Sequence, residues 1–460
     1  ALAAILARRG YRVSGSDPRR TPVLAQLEAS GVEVFDRQEA ATIEALQRPE
    51  PPTAAVVIST AVPASNPELR AARQAGWPVL HRSELLAALI NSQPSVAVAG
   101  SHGKTTTSTL IASLMADLGH DPTAVIGGIV PAFGSNARQG RGRLLVAEAD
   151  ESDGSLVKFR PELGVITNLE LDHTDHYADL ESLIRTMQIF ASQSGRLLAN
   201  RDCPVLRSHF QADHWWSIET SEGVSFAAIP LQERGDGTSA EFFENGASIG
   251  RFELPLAGRH NLSNALAAMA VCRLEGIPFN ALREALARLQ SPGRRFDCRG
   301  TWRGRVVVDD YAHHPSEVAA TLAMARLMVA SGRSPLPLTP QRLVAVFQPH
   351  RFSRTAQFLE EFATALSGAD AVLLAPLYTA GEAPIAGVSS DRLAEAIRRQ
   401  APGLSIEVAE DLDALARRLT SVSHPGDLLL AMGAGDINSL WERLGRLVDQ
   451  DQDQPEPLAA

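Results

Sequence analysis

The feature that most constrains this chain is a short loop, Gly100-Ser101-His102-Gly103-Lys104-Thr105-Thr106-Thr107. It follows a buried-looking run, Ser95–Ala99, and opens a long helical stretch, Thr105–Leu118. A strand that turns through glycines into a helix is the building block of a parallel α/β sheet. Successive backbone N–H groups and the helix dipole make an anion site at such a turn. Lys104 adds a point charge for terminal phosphates, and the Thr105 hydroxyl stands where it can reach Mg²⁺. The spacing G-x-x-G-K-T is tighter than the common G-x-x-x-x-G-K-[ST] loop. A chance Gly-Lys-Thr at a helix start is the competing reading, and the strand–turn–helix context argues against it. Only two of the 43 basic residues are lysines, Lys104 and Lys158, so the bias toward arginine spared this position.

The rest of the chain fits around that block. Its 460 residues predict about three domains at ~150 residues each, since a single core rarely grows past ~300 residues. Residues 1–92 alternate short helices and strands (Tyr11–Ser14, Val32–Phe35, Ala54–Ser59, Pro78–Leu80), which reads as a parallel sheet. Residues 93–292 hold the loop, further strands at Leu144–Ala147, Leu163–Thr167 and Arg196–Ala199, and a small antiparallel sheet between His214 and Leu256. Helices at His260–Leu274 and Asn280–Arg288 close that unit. Residues 293–448 alternate strands at Val306–Val308, Leu343–Phe347, Ala371–Ala375, Ile406–Val408 and Leu428–Ala431 with helices, giving a second parallel α/β unit. Residues 449–460, acidic with Gln and Pro, read as a disordered tail.

Charge and composition exclude several classes. The net charge is −10 with no basic stretch, which argues against a nucleic-acid groove. No apolar run approaches the ~18 residues of a membrane span. Cys203, Cys272 and Cys298 match no zinc or disulfide spacing, and a cytoplasmic location is expected.

Further polar clusters sit at the ends of apolar strands, the edge where α/β proteins hold ligands. In Glu148-Ala149-Asp150-Glu151-Ser152-Asp153, Glu148 at the strand's end is the candidate for a cation, while the other acids read as a solvated turn. Asn168-Leu169-Glu170-Leu171-Asp172-His173-Thr174-Asp175-His176 suggests a second cation or a phosphate contact. Asn261 and Asn264 share one helical face, although Asn261 alone could be a cap. In Gly293-Arg294-Arg295-Phe296 an arginine can reach across a cleft to phosphates. Asp309-Asp310-Tyr311-Ala312-His313-His314-Pro315 and Gln348-Pro349-His350-Arg351-Phe352-Ser353-Arg354-Thr355 end two successive strands. Arg351 and Arg354, three apart, could hold a carboxylate between them.

Together these motifs, in this order, resemble the Mur ligase family of ATP-dependent amide ligases, over essentially the whole chain. The His-Arg-Phe and Asp-Tyr-Ala-His-His-Pro segments resemble the branch that joins L-alanine to UDP-N-acetylmuramate in peptidoglycan precursor synthesis. Members that add later residues use a carbamylated lysine, and Lys158 lies outside that position. The tripeptide-recycling branch is the nearest alternative. The resemblance implies a Rossmann-like UDP-binding domain, a central P-loop ATPase-like domain and a C-terminal Rossmann-like domain for the amino acid, with ATP and Mg²⁺ as cofactors. It implies ATP contacts at Gly100, Ser101, His102, Gly103, Lys104, Thr105, Thr106, Asn261, Asn264, Arg295 and Asp310. Thr105, Glu148 and His173 would serve Mg²⁺. Tyr311, His313, Arg351 and Arg354 would frame alanine, with Lys104, His313, Asp310 and Arg295 at the reacting centre. His313 is the candidate base, because imidazole titrates near neutral pH.

The chain starts at Ala1, inside a helical pattern (Ala1–Arg9). The resemblance implies a strand and a glycine-rich loop just before that helix, cradling a pyrophosphate. The chain is therefore expected to be a fragment, with Ser14, Ser16, Asp17 and His102 as remaining UDP-sugar contacts and a weak grip on that substrate. The alternative is a nucleotide-binding module that lost activity with that loop.

Overall fold

The computed structural model describes residues 1–46, 54–174 and 176–452. Its centre is one ten-stranded sheet. The strands of the whole chain are β1 (Ser14–Ser16), β2 (Glu33–Phe35), β3 (Val56–Ile58), β4 (Val79–His81), β5 (Ser95–Ala99), β6 (Thr123–Val130), β7 (Ser135–Arg138), β8 (Leu145–Glu148), β9 (Leu163–Ile166), β10 (Arg196–Asn200), β11 (His214–Ser217), β12 (Phe226–Arg234), β13 (Gly237–Glu244), β14 (Ala247–Leu254), β15 (Asp297–Trp302), β16 (Arg305–Asp310), β17 (Arg342–Phe347), β18 (Ala371–Leu374), β19 (Ser405–Val408) and β20 (Asp427–Met432).

In the central sheet the order is β14-β13-β12-β11-β10-β9-β5-β8-β6-β7. β5, which carries the phosphate loop, lies between β8 and β9, parallel to both. All five of its residues are buried, because helices cover both faces. On one face the helices Lys104–Asp117 and Arg259–Leu274 pack Leu110, Ile111, Leu266 and Met269 against Val96 and Val98. On the other, Leu86, Ile90, Leu183 and Phe190 pack against Ala97 and Ala99. Strands buried on both faces read as unbroken apolar runs, as β5 and β9 do. The antiparallel strands expected between His214 and Leu256 are the outer end of this same sheet: β12, β13 and β14 pair antiparallel, while β11 is parallel to both β10 and β12.

The N-terminal strands are three residues long and pair as two separate parallel ladders, β1 with β2 and β3 with β4. Such short strands offer few backbone pairs on each edge. A helix, Arg82–Asn91, precedes β5, and Ser92–Pro94 connect the two. The helix Leu2–Arg8 buries Ile5 in the central core.

The third unit is a six-stranded sheet, β15-β16-β20-β17-β18-β19, parallel except for β15. Phe347, Phe362 and Leu393 fill one face, and Leu415, Leu440 and Leu444 the other. The stretch expected as a tail begins inside a helix, which runs from Leu440 to Gln452, while residues 453–460 lie outside the described residues. Among the described residues no helix is long and apolar enough to cross a membrane.

Candidate active site

The phosphate loop is shaped by two glycines. Gly100 has φ +126° and Gly103, the N-cap of the helix Lys104–Asp117, has φ +82°. A Cβ on Gly100 would lie 2.2 Å from Thr167 Oγ1 and 2.9 Å from the Asn168 carbonyl, and one on Gly103 would lie 2.5 Å from Asn264 Oδ1. The end of β9 therefore presses directly on the loop. Thr167 Oγ1 donates to the His102 carbonyl at 2.6 Å, and Asn168 Oδ1 accepts from the His102 amide at 3.0 Å.

Lys104 folds back over the loop. Its Nζ donates to the carbonyls of Gly100 at 2.7 Å and Ser101 at 3.1 Å, and lies 2.7 Å from Glu151 Oε2. Burial works against its charge, but Glu151, Asp150 and Glu148 outweigh that and raise its pKa. Glu151 is 1% exposed. Burial pushes its carboxyl up to about 7 against the pull of Lys104. An anion entering the loop would compete with this carboxylate for the ammonium.

Glu148, at the end of β8, accepts from Thr105 Oγ1 at 3.0 Å on each oxygen and from the Gly127 amide at 2.8 Å. Hydroxyl and carboxylate oxygens are the donors a Mg²⁺ ion prefers, so this pair fits one. His173 stands apart, with φ +53° and Nε2 3.6 Å from Glu151 Oε1. Burial lowers its pKa, which keeps a lone pair on the ring for a cation.

Across from the loop, the third unit closes a cavity of about 290 Å³. Its lining includes His102, Gly103 and Thr106, then Asn261 and Asn264 from the helix Arg259–Leu274, and Arg295 and Asp310 from the third unit. Asn264 Oδ1 accepts from Thr107 Oγ1 at 3.2 Å, and Asn261 Nδ2 donates at 2.8 Å to the carbonyl of Ala257, the residue before the helix's N-cap. Asp310 accepts from the amides of Phe296 at 2.7 Å and Ala312 at 2.8 Å, while burial pushes its carboxyl up to about 6. Arg295 lies 5.1 Å over the Tyr311 ring and 3.8 Å from Glu317.

Glu317 joins the two units. Its carboxylate lies 3.2 Å from His102 Nδ1 and 3.1 Å from His313 Nδ1. Burial opposes charge on His102, but Glu317 and Glu170 outweigh it and raise the ring to about 9. The second joint is Asp172 with Arg354. Arg354 Nη2 donates to Asp172 Oδ1 at 2.6 Å and Nε at 3.0 Å, both side chains being buried. Burial opposes charge on Asp172, yet Arg354 and two histidines hold its carboxyl well below the usual range.

One expected grouping differs. Arg351 and Arg354 do not converge on one carboxylate. Arg351 is an N-cap residue with φ +71°, so its side chain leaves in another direction, with Nη1 3.5 Å from Glu382 Oε1. Arg354 is taken by Asp172. Ser14, Ser16 and Asp17 line none of this cavity: Ser16 Oγ donates to Glu68 at 2.5 Å, and Asp17 accepts from the Arg19 amide. Ser101 Oγ donates to the Glu170 carbonyl at 2.9 Å. Glu317 has no role in the sequence reading, Glu151 is read there as part of a solvated turn, and Glu170 and Asp172 appear only within a cluster suggested for a cation or a phosphate. For Glu317 a signal existed, since His314-Pro315-Ser316-Glu317 has capping-box spacing, and that box forms.

Family models match nearly the whole chain: the Mur ligase catalytic domain over residues 1–94, the Mur ligase middle domain over 98–272, and the Mur ligase glutamate ligase domain over 294–435. The chain belongs to the Mur ligase family. The UDP-N-acetylmuramate–L-alanine ligase of Parasynechococcus marenigrum (strain WH8102) is 62% identical over 448 residues, covering 96% of this chain and 95% of that one. The protein of the same name from Prochlorococcus marinus (strain MIT 9303) is 61% identical, covering 100% of this chain and 94% of its own. The crystal structure of UDP-N-acetylmuramate–alanine ligase from Thermotoga maritima shares the fold at a TM-score of 0.79 and 24% identity, covering 98% and 96%.

Proposed function

We propose that this chain is an ATP-dependent ligase that joins L-alanine to the lactyl carboxylate of UDP-N-acetylmuramate, a step of peptidoglycan precursor synthesis. The observation that carries this reading is the cavity walled on one side by the phosphate loop and on the other by Arg295 and Asp310. The names of the 61–62% identical relatives support it.

The division of labour is residues 1–92 for the UDP-sugar, 93–292 for ATP and 293–448 for the amino acid. UDP contacts are assigned to Ser14, Ser16, Asp17 and His102. A carboxylate does not react with an amine, because its oxygen is a poor leaving group. The lactyl carboxylate oxygen therefore attacks the γ-phosphorus of ATP, the bond to the β-phosphate oxygen breaks, and ADP leaves. Lys104, Arg295 and the amides of residues 100–106 neutralise the crowded oxygens. Thr105, Glu148 and His173 would hold Mg²⁺, which supplies charge neutralisation on the phosphates when bound. The alanine amine then attacks the acyl phosphate carbonyl, and the tetrahedral adduct expels phosphate. The ammonium of alanine must first lose a proton. His313 is the base we assign: Nδ1 is held between the Tyr311 carbonyl at 2.9 Å and Glu317, leaving Nε2 to take it. Asp310, through its two amide bonds, holds the segment that carries Tyr311 and His313. Tyr311 and Arg351 frame the amino acid, with Arg354 behind them. Closure excludes water, which would hydrolyse the acyl phosphate. A reaction drawing on ATP and a nucleotide sugar belongs in the cytoplasm.

The test is ADP formation measured with UDP-N-acetylmuramate, with and without L-alanine. Formation that requires both substrates, and that Lys104→Ala abolishes while circular dichroism is unchanged, is the expected result. Near-normal turnover in Lys104→Ala, or turnover with a tripeptide in place of alanine, would overturn it.

A further inference from the structure

Three side chains around the loop play no shared part in the reaction above. His102 belongs to the phosphate loop, Glu170 follows β9, and His314 caps the helix Pro315–Ser331 of the third unit. Their donor atoms all lie within 4.8 Å of one another. His102 Nε2 is 3.3 Å from Glu170 Oε2, and His314 Nδ1 is 3.5 Å from the same oxygen. Charge-assisted hydrogen bonds are shorter, about 2.7–2.9 Å. Ligands at ~2.0–2.1 Å around a tetrahedral Zn²⁺ stand about 3.3–3.4 Å apart. The two separations to Glu170 Oε2 match that ligand spacing, and the donor nitrogens of the two histidines lie within 4.8 Å of each other.

The surroundings agree. Metal-binding histidines usually present their other nitrogen to a carboxylate, and His102 Nδ1 lies 3.2 Å from Glu317 Oε1. Ser316 Oγ donates to Glu170 Oε2 and fixes that carboxylate. His314 is 4% exposed and its Nε2 has no hydrogen-bond partner among the described residues, while its Nδ1 accepts from the Ser316 amide at 3.4 Å as part of the helix cap. An open groove of about 660 Å³, lined by Glu170, His314 and Ser316, reaches the cluster from outside.

We propose that His102, Glu170 and His314 form a binding site for a borderline-soft divalent cation of the Zn²⁺ class, distinct from the oxygen-rich Mg²⁺ position at Thr105 and Glu148. Two imidazoles and one carboxylate are a ligand set that suits zinc and is poorly matched to Mg²⁺. Two ligands come from the central unit and one from the third, so a bound ion pins the phosphate loop to the helix Pro315–Ser331. The His102 proton leaves as the ion enters.

The test is equilibrium dialysis of the full chain against Zn²⁺ at about pH 8, with excess Mg²⁺ to fill the oxygen sites. The expected result is one Zn²⁺ bound, with Glu170→Gln and His314→Gln each weakening it at least about tenfold and Glu148→Gln leaving it in place. Co²⁺ in the same protein should give the visible bands of a tetrahedral ion. Should His314→Gln fail to fold, Glu170→Gln, which keeps the Ser316 bond, decides alone. No zinc bound by the wild type below millimolar concentration, or equal binding by Glu170→Gln, overturns the proposal.

Discussion

Arg351 and Arg354 stand three residues apart and do different work. Arg354 is 4% exposed and faces a buried carboxylate. Its removal strands Asp172, and breaking a buried pair from one side costs about 3–5 kcal/mol. Arg354→Ala should therefore lower the unfolding free energy by that order in denaturant titration, and Asp172→Asn added to it should recover part of the loss. Arg351 lies nearer the surface beside Glu382. Arg351→Ala should leave stability nearly unchanged and raise the KM for alanine far more than that for ATP. Equal rises in both would contradict its assignment to the amino acid. At this scale the sequence was readable where a residue acts within its own motif. Lys104 and Thr105 sit at the loop because their spacing requires it. The partners were not readable: Asp172 meets Arg354 across 182 residues, and Glu317 meets His102 across 215. No local pattern encodes such a meeting.

At the scale of elements, the phosphate loop depends on the end of the neighbouring strand. Gly100 adopts a φ that a side chain resists, and its Cβ position is filled by Thr167 and the Asn168 backbone. Gly100→Ala should cost about 1–3 kcal/mol of stability and abolish nucleotide binding. A melting curve and a titration with a fluorescent ATP analogue check both, and unchanged ATP affinity would contradict the pressed-loop picture. The parallel elements were legible, because strands buried on both faces appear as apolar runs. β5 runs over the residues its pattern marks, Ser95–Ala99. Less legible were β6, β7 and β15. β6 carries a Gly-Gly pair that interrupts its buried run, with five of its eight residues buried, and β15 lies on a sheet edge with one buried residue in six. Edge strands exposed to water need no apolar signature.

For the whole molecule, the joint between the central and third units combines an apolar contact of Ala257 with Met324 and Met328 and a set of ion pairs whose strength depends on pH. His102 ordinarily titrates at 6.5 and is raised to about 9 in the fold. A raised basic group stabilises fully below its unfolded value and loses that contribution as pH rises through its folded one. The contribution should therefore fade between pH 6.5 and about 9, by at most ~3 kcal/mol. The melting temperature of the wild type should fall across that window, and His102→Gln should flatten the slope. A slope equally steep in the variant would show that other groups carry it.

The buried Asp172–Arg354 pair has one more consequence, for timing. Whatever fills the cavity is walled by both units, and any parting of the units exposes two charges that now satisfy each other. If release requires such an opening, breaking this pair is part of its barrier. In the proposed reaction the escape of ADP, rather than the making of the amide bond, would then set the tempo, and a substitution that weakens this pair would speed release while it lowers stability.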